Sequence, residues 1–311
     1  MSTVPTPLAV AVPRPEPSAA TPEAGPRRIS RGSLYWRRFR RNRMAMVGLV
    51  ILALLVLFAL LGGLFAQHHY QDTDFLALDS PPSAEHWFGT NGGGNDLYAQ
   101  VVHGLRISLV IAITVSAATT FISAFVGSVA AYLGGRAERA ILALIHFLLI
   151  VPSFLLVALI VASQGGDWKV LIVVLILFGW MYYARIIWSL AMSIREREYV
   201  MAARYMGVGG VTIVLRHIIP NIGSLLVVNL TLGVVSTVMG ETGLSFLGLG
   251  VKPPNVSLGT LLGSGVNQVT ASPWLFYFPA GALTLLTVSM AFISDGLRDA
   301  LDPSSAAGGH A

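Results

Sequence analysis

The chain has 311 residues, of which 54% are hydrophobic and 11% charged, and its mean hydropathy is +0.71. A soluble domain carries about a quarter charged residues, so this composition indicates a lipid bilayer as the main solvent. The absence of cysteine excludes disulfides, thiolate metal sites and thiol nucleophiles, and the net charge of +5 does not indicate nucleic acid because most basic residues flank apolar segments.

The first 33 residues differ from the rest of the chain because proline, serine, threonine and alanine dominate them. Such a segment cannot bury enough apolar surface to fold, so residues 1–33 are predicted to form a disordered cytoplasmic tail. No compact apolar core begins near residue 5, and we expect no cleaved signal peptide but an anchor helix over residues 34–66. The arginines from Arg37 to Arg43 fit a cytoplasmic anchor for this helix better than a lipid or nucleic-acid patch.

Six apolar segments are long enough to cross a membrane as helices, which requires roughly 20 residues each. They lack strict alternation, so helices fit them better than strands. The sequence therefore predicts an all-α polytopic membrane protein. The six segments are 45–66, 108–133, 140–163, 170–190, 222–247 and 275–294.

The basic residues are distributed unevenly between the two sides of these segments. Of the 20 lysines and arginines, only Arg106, Lys169 and Lys252 fall on the side opposite the N-terminal tail. Because positively charged connections stay in the cytoplasm, both termini are predicted to be cytoplasmic. The same topology makes residues 67–103 an extracytoplasmic loop, 104–299 the transmembrane domain and 300–311 a C-terminal tail.

The cytoplasmic connection 192–221 is too polar to span a membrane and too apolar for a solvated linker. Apolar residues recur at helical spacing over 198–206, glycines follow from Gly207, and a second helical stretch over 211–219 ends at Pro220. The pattern predicts a helix, a glycine turn and a second helix at the membrane surface. A short amphipathic helix of this kind suits either a groove in a partner protein or the lipid surface, and the pattern alone favours neither.

Two parts of this connection resemble the EAA loop of ABC importer permeases. They are Arg-Glu-Arg-Glu-Tyr-Val-Met-Ala-Ala-Arg-Tyr-Met-Gly at 195–207 and Arg-His-Ile-Ile-Pro-Asn at 216–221. The chain departs from that pattern at Met201, where the family has glutamate, and at His217, where it has an aliphatic residue. The positions that match are Ala202, Ala203, Gly207 and Pro220.

In that family the loop carries the coupling helix, which docks on the ATP-hydrolysing subunit. The resemblance thus implies that the helix 198–206 transmits the movement of an ATPase to the membrane helices. The residues to which it assigns ATPase coupling are Arg197, Glu198, Tyr199, Ala202, Ala203, Arg204, Met206, Gly207 and Pro220.

Three further segments, 87–109, 241–259 and 295–303, resemble peptide-importer permeases. They contain Trp-Phe-Gly-Thr-Asn, Glu-Thr-Gly-Leu-Ser-Phe-Leu-Gly-Leu-Gly and Asp-Gly-Leu-Arg-Asp-Ala-Leu-Asp-Pro. Together they resemble the second, C-type permease of the dipeptide, oligopeptide and nickel group. Asn91 and Asn95 stand where that family usually has aspartate and arginine, so an ion pair made there is missing.

This resemblance implies a type I ABC importer permease fold in the bacterial plasma (inner) membrane. The implied partners are a homologous permease, two ATPases and an extracytoplasmic binding protein. The implied cargo is a di- or oligopeptide, with nickel chelates, glutathione or haem as alternatives.

Catalytic and cofactor-binding patterns are missing from the sequence. No Gly-x-x-x-x-Gly-Lys-Ser/Thr phosphate cradle occurs, so ATP and magnesium are expected on partner subunits and no cofactor on this chain. No Ser/His/Asp constellation indicates an enzyme. His68, His69, His86 and His103 do not predict a metal site, because adjacent histidines point apart and no acid–histidine helical spacing accompanies them.

Ionisable and amide side chains inside the apolar segments are candidates for function, because burying them is costly. Glu241 fits a gate or a contact to a substrate amine, or else a hydrogen bond between helices. Asn229 fits either the translocation path or helix packing, and His146 is expected to be a packing residue rather than a proton relay. Asp96 is predicted to cap a short interfacial helix that ends at Gly104.

Two other classes of protein compete with an importer permease. An ion-driven secondary transporter would carry several buried acids or inverted repeats, and the sequence shows one such acid and no convincing repeat. A membrane-embedded enzyme would carry paired intramembrane catalytic residues, which the pattern does not contain.

Overall fold

A computed structural model describes residues 31–301, and this part of the chain is helical with no β-strand. Residues 1–30 of the predicted tail and residues 302–311 lie outside the described range. The helices are α1 (Arg31–Arg41), α2 (Arg43–Phe65), α3 (Leu97–Leu133), α4 (Gly135–Ile150), α5 (Ser153–Ser163), α6 (Trp168–Arg195), α7 (Glu198–Tyr205), α8 (Gly210–Ile213), α9 (Ile219–Asn221), α10 (Gly223–Phe246), α11 (Leu258–Gly265) and α12 (Trp274–Leu301). A π-helical turn, Val214–Ile218, joins α8 to α9.

Five helices, α2, α3, α6, α10 and α12, are long and apolar enough to cross a membrane, and each overlaps one of the six predicted segments. Helix α3 begins at Leu97, eleven residues before its predicted segment, and α12 continues to Leu301, seven residues beyond its segment. The remaining segment was predicted as one continuous helix over 140–163, and this is wrong. It consists of α4 and α5, which meet at an angle of 69°. Pro152 lies between them, and proline ends a helix because it lacks an N–H and its ring crowds the preceding turn.

The bent pair α4–α5 nevertheless passes from one end of the helix bundle to the other. Near the start of α4, Glu138 accepts a hydrogen bond from Trp188 Nε1 at 2.8 Å, close to the end of α6. Just after α5, the carbonyl of Gly166 accepts one from the Lys252 N–H at 3.1 Å, two residues before α6 begins. Because the two contacts lie at opposite ends of α6, we count the bent pair as one broken span and the chain as six crossings.

Helix α3 lies at the centre of the bundle and packs closely against α6 and α10. A Cβ atom at Gly127 would lie 2.5 Å from the carbonyl oxygen of Ala184, so the backbones of α3 and α6 touch there. The Ser123 hydroxyl donates to the Trp180 carbonyl at 2.7 Å, and the Ser116 hydroxyl donates to Leu230 on α10. Small residues and hydroxyls at helix contacts are how membrane helices associate without a hydrophobic driving force.

Asp96 caps α3, accepting a hydrogen bond from the Ala99 N–H at 2.8 Å, but the helix does not end at Gly104 as predicted. It continues to Leu133. Gly104 serves a close approach instead, since a Cβ atom there would lie 3.1 Å from the backbone of Ser257. The prediction was wrong because Gly104 permits close packing inside a helix, and the sequence pattern does not distinguish that role from the end of a helix.

Histidine rings hold the loop between α2 and α3 against the start of α3. His86 is buried, stacks on His68 at 4.6 Å between ring centroids, and places Nδ1 2.9 Å from Oδ2 of Asp96. His103 stacks on Tyr70 at 3.7 Å. These side chains fasten the loop to the helix that it precedes.

Candidate functional site

Helix α7 has one buried face and one exposed face. Val200 and Ala203, three residues apart and therefore on the same side, are buried in an apolar cluster with Ala131 of α3 and Ile194 of α6. Tyr199, Met201 and Ala202 are exposed, and so are Tyr205 and Met206, with 84% and 76% of their surface accessible. The helix is thus fixed to the bundle by two small apolar side chains and presents tyrosine and methionine outward.

Gly207 ends α7 in the left-handed conformation, with φ at +77°. The N–H of Gly207 donates to the Arg204 carbonyl at 3.1 Å, and the N–H of Val208 donates to the Ala203 carbonyl at 3.1 Å. This pair of bonds is a Schellman motif, which satisfies carbonyls that the helix end would otherwise leave free. Val208 is partly buried in the same apolar cluster as Ala203, as that motif requires.

The charged residues around α7 differ in how firmly they are held. The Arg204 guanidinium lies 5.7 Å from the centroid of the Tyr132 ring, and Arg195 donates to the Ala131 carbonyl at 2.9 Å. Arg197 and Glu198 are exposed and form no ion pair within residues 31–301. The last two therefore remain available to a partner.

The second helical stretch of the loop was predicted to end at Pro220, but it continues to Asn221. Pro220 lies inside the short helix α9, and a π-helical turn precedes it. Since proline cannot donate a backbone hydrogen bond, nearby carbonyls need other donors, and the Asn221 Nδ2 donates to the carbonyl of His217 at 2.6 Å. Ile213 and Ile218 are buried in the cluster that also holds Val200 and Ala203, so both halves of the loop share one core.

A cavity of about 410 Å³ opens beside α7. It combines apolar and aromatic walls with two guanidinium groups, those of Arg195 and Arg204. Its lining residues are Tyr132, Arg195, Val200, Met201, Arg204 and Tyr205. Met201, which departs from the family pattern, thus forms part of the cavity wall and carries no charge there.

Glu241 lies near the C-terminal end of α10, the end farther from α7 and its loop, and is almost completely buried, with 1% of its surface exposed. Its carboxylate accepts hydrogen bonds from Ser257 at 2.6 Å, Ser245 at 2.7 Å and Ser108 at 3.4 Å. Ser257 also caps α11 and Ser108 belongs to α3, so one carboxylate joins three elements. In this conformation Glu241 connects helices and does not line an open path.

Asn229 is also buried, and its Nδ2 has no hydrogen-bond partner within the described residues. It lies twelve residues before Glu241 on α10, about 18 Å away at 1.5 Å per residue, so the two do not form one site. His146 is exposed on the outside of α4.

Sequence reasoning missed a cavity of about 220 Å³ beside the α4–α5 elbow. Its lining combines apolar side chains and glycines with residues that carry hydroxyl groups. The apolar ones are Val115, Phe154, Val157, Leu175, Phe178 and Leu244, the glycines are Gly179, Gly233 and Gly240, and the hydroxyl-bearing ones are Thr119, Ser153, Tyr183, Ser236 and Thr237. None of its lining residues is charged. The signal that could have revealed it is Pro152, because a proline inside an apolar segment marks a break, and broken helices at membrane depth border cavities.

A larger cavity, of about 710 Å³, lies between the loop 67–96 and the residues around Lys252. Asn91 and Asn95, the two departures from the family pattern, border it. Asn91 Oδ1 accepts from the Asn95 N–H at 3.0 Å, and Asn95 Nδ2 donates to the Asp72 carbonyl at 3.0 Å. Neutral amide hydrogen bonds therefore order this loop at the two positions where the sequence departs from the expected pattern.

Two family models match the chain. Residues 123–306 match the binding-protein-dependent transport system inner membrane component, and residues 30–82 match the N-terminal TM domain of oligopeptide transport permease C.

Curated relatives cover nearly the whole chain. It is 44% identical to the oligopeptide transport system permease protein OppC of Mycobacterium tuberculosis (strain ATCC 25618 / H37Rv), over 89% of this chain and 96% of the relative. It is 35% identical to the OppC protein of Bacillus subtilis (strain 168), over 93% of this chain and 96% of that relative. It is 39% identical to a putative peptide permease protein of Brucella suis biovar 1 (strain 1330), over 86% of this chain and 89% of that relative.

Proposed function

This chain belongs to the family of binding-protein-dependent transport system inner membrane components, and from that premise we propose that it is a permease subunit of an ATP-driven oligopeptide importer. It is a multi-pass protein of the bacterial inner membrane. Its relatives are named as oligopeptide or peptide permeases, which favours peptides over nickel chelates, glutathione or haem as cargo. The family description also argues against an ion-driven secondary transporter.

The two-faced helix α7 carries the proposal. Val200 and Ala203 hold it to α3 and α6, so a force on the helix reaches the membrane spans. Tyr205 and Met206 leave a large apolar surface exposed, of the kind that marks a contact with another protein. In this role the coupling surface comprises Arg197, Glu198, Tyr199, Ala202, Arg204 and Met206, with Ala203, Gly207 and Pro220 fixing its shape.

The path for the peptide is proposed to pass the cavity at the α4–α5 elbow, whose uncharged wall includes several hydroxyl groups, and the homologous second permease would complete it. Irregular backbone at membrane depth is tolerated only where protein covers it or an aqueous cavity borders it. Hydroxyl groups can donate to or accept from any peptide backbone, whereas a fixed charge would select side chains. Asn229, whose Nδ2 has no partner within the described residues, is a second candidate for the path or for the contact with the partner permease. Glu241, which joins α10 to α3 and α11, is proposed to hold these elements together as a gate at the outer end of the bundle.

ATP with its magnesium is proposed to bind two separate ATPase subunits, and an extracytoplasmic binding protein is proposed to deliver the peptide. The 710 Å³ cavity lies on the face where that protein would dock. Each cycle would then move α7 with the ATPases and open the path alternately to the two sides.

Crosslinking tests the coupling role sharply, because the chain has no native cysteine. Ala202→Cys, in the complex assembled with cysteines at the facing ATPase surface, should crosslink to the ATPase. Tyr277→Cys, an exposed position in the first turn of α12 and at the end of the bundle opposite α7, is the matched control and should not crosslink. Absence of any Ala202→Cys crosslink in a complex that retains its ATPases would contradict the assignment of α7.

Transport in proteoliposomes tests the function as a whole. Uptake of a labelled oligopeptide should require ATP on the ATPase side and the binding protein on the other. The pair of substitutions Tyr205→Ser and Met206→Ser should reduce uptake at least tenfold, while Tyr277→Ser should not. Uptake driven by a proton gradient in vesicles without ATP would refute the proposed importer.

A further inference from the structure

Helix α1 is separate from the first membrane span. Asn42 lies between α1 and α2 in an extended conformation, with φ at −80° and ψ at 107°, and its Oδ1 accepts from the Ala45 N–H to cap α2. Residues 31–33 were predicted to belong to a disordered tail and 34–66 to one anchor helix, but α1 begins at Arg31 and the chain breaks at Asn42. The arginines at 37–43 therefore belong to two ordered helices, Arg43 to α2 and the others to α1.

α1 is held beside the polar end of α12. Phe39 is buried, and a Cβ atom at Gly296 would lie 3.2 Å from its ring. Asn42 Nδ2 donates to Asp299 Oδ2 at 3.0 Å. Because Asp299 lies in the last turn of a membrane span, these contacts place α1 at the boundary between the apolar layer and water.

The outward side of this segment is strongly and openly basic. Arg37, Arg40, Arg41 and Arg43 are exposed, and none forms an ion pair with another residue of 31–301. Arg38 differs, since it is half-buried and engaged within the protein. Four guanidinium groups within seven residues thus form no ion pair inside the described part of the chain.

Apolar side chains surround these arginines as they do at a membrane surface. Trp36 is 52% exposed and stacks on the buried Phe39, with 5.9 Å between ring centroids. Met44 and Val47, in the first turns of α2, are exposed where the span enters the bilayer. Tryptophan favours the headgroup layer, and guanidinium groups bind phosphate with two parallel hydrogen bonds.

We propose that α1 and the first residue of α2 form a binding site for anionic phospholipids, in which Arg37, Arg40 and Arg41 of α1 and Arg43 of α2 bind headgroup phosphates and Trp36 lies in the interfacial layer. An acidic surface of an ATPase subunit is the competing occupant. Lipid is favoured because the arginines continue directly into Met44 and Val47, which face the bilayer, and because exposed Trp36 beside them suits the headgroup layer. A protein docked on the arginines would not explain the exposure of these three apolar side chains. This inference does not depend on the cargo or on the role of α7.

Native mass spectrometry of the assembled complex, taken from nanodiscs of phosphatidylcholine with phosphatidylglycerol, tests the proposal. The wild-type complex should retain phosphatidylglycerol selectively. The triple substitution Arg37→Gln, Arg40→Gln, Arg41→Gln should weaken that retention about a hundredfold, given the contribution of each basic residue near an anionic surface. The matched triple Arg→Lys variant should retain most of it, and Trp36→Ser should weaken it without any change in charge.

Two results would overturn the proposal. One is equal retention of phosphatidylglycerol by the wild-type complex and the triple glutamine variant. The other is loss of the ATPase subunits by the glutamine variant in nanodiscs of phosphatidylcholine alone, which would assign the arginines to a protein contact. If the triple variant does not insert, Arg40→Gln and Arg41→Gln are measured singly, and each should give a partial loss.

Discussion

Substitution of Gly207 by valine should uncouple transport without unfolding the protein. No atom lies within 4 Å of the position that a Cβ would occupy at Gly207, so the cost comes from the backbone alone. Holding an L-residue in the left-handed region costs about 1–2 kcal/mol, and a β-branched residue lies at the upper end. Leaving that region would instead lose the bonds from Gly207 to Arg204 and from Val208 to Ala203, at about 1 kcal/mol each.

Either route costs about 2 kcal/mol, which is well below the total stability of a typical protein but large for one helix end. The end of α7 should therefore shift while the bundle stays intact. Gly207→Asn is the matched control, because asparagine enters the left-handed region with less strain and the site has room for it. Peptide uptake should be lost in Gly207→Val and largely kept in Gly207→Asn, with both complexes retaining their ATPases.

The assay pairs uptake in proteoliposomes with the amount of ATPase that copurifies. If Gly207→Val transported at the wild-type rate and expression level, α7 would not be the coupling element. If both variants failed equally, the left-handed conformation would not be the cause, and the reasoning from φ would be wrong.

Three further predictions concern the outer end and the topology. Glu241→Ala should lower the free energy of unfolding by about 2–3 kcal/mol, because it removes the carboxylate to which the buried hydroxyls of Ser108, Ser245 and Ser257 donate. Thermal unfolding of the complex measures the loss, with Ser264→Ala as the control. Asp96→Ala should cost about 1 kcal/mol through the lost cap and a further amount through the lost contact to buried His86, and Asp96→Asn should cost less; faster hydrogen exchange at the start of α3 measures the effect. A cysteine at Gln164 should react with an impermeant maleimide from outside the cell and one at Arg136 only after permeabilisation; labelling of both from one side would refute six crossings.

The main features of the fold follow from the length of its apolar segments. Each of the five unbroken spans contains at least 23 helical residues, and no other local signal competes with such a run. The error at 140–163 came from counting apolar residues without weighing Pro152, whose effect on the backbone is stronger than the hydropathy around it. The error at Gly104 arose because close packing and helix termination both favour glycine.

The loop around α7 was predictable because its signals are local. Helical spacing over 198–206 and a glycine at the expected end are properties of neighbouring residues, and the observed helix ends one residue earlier, at Tyr205. The surroundings of Glu241 were not predictable. Ser108 lies 133 residues away from it, and nothing near either residue in the sequence indicates that the hydroxyl and the carboxylate meet.

Transmission of a movement from α7 to the outer face needs a connection that does not deform, and α3 with α10 meets this requirement. Near α7, Ala131 of α3 shares an apolar cluster with Val200. Midway along the bundle, the hydroxyl of Ser116 on α3 donates to the carbonyl of Leu230 on α10. At the outer end, Ser108 of α3 donates to Glu241 of α10. Sliding the two helices would break hydrogen bonds where no water can replace them. The pair should therefore move as one body, and access to the path must open between this pair and its more loosely packed neighbours. The bent pair α4–α5 is such a neighbour, since it buries only a few side chains against the rest of the described chain.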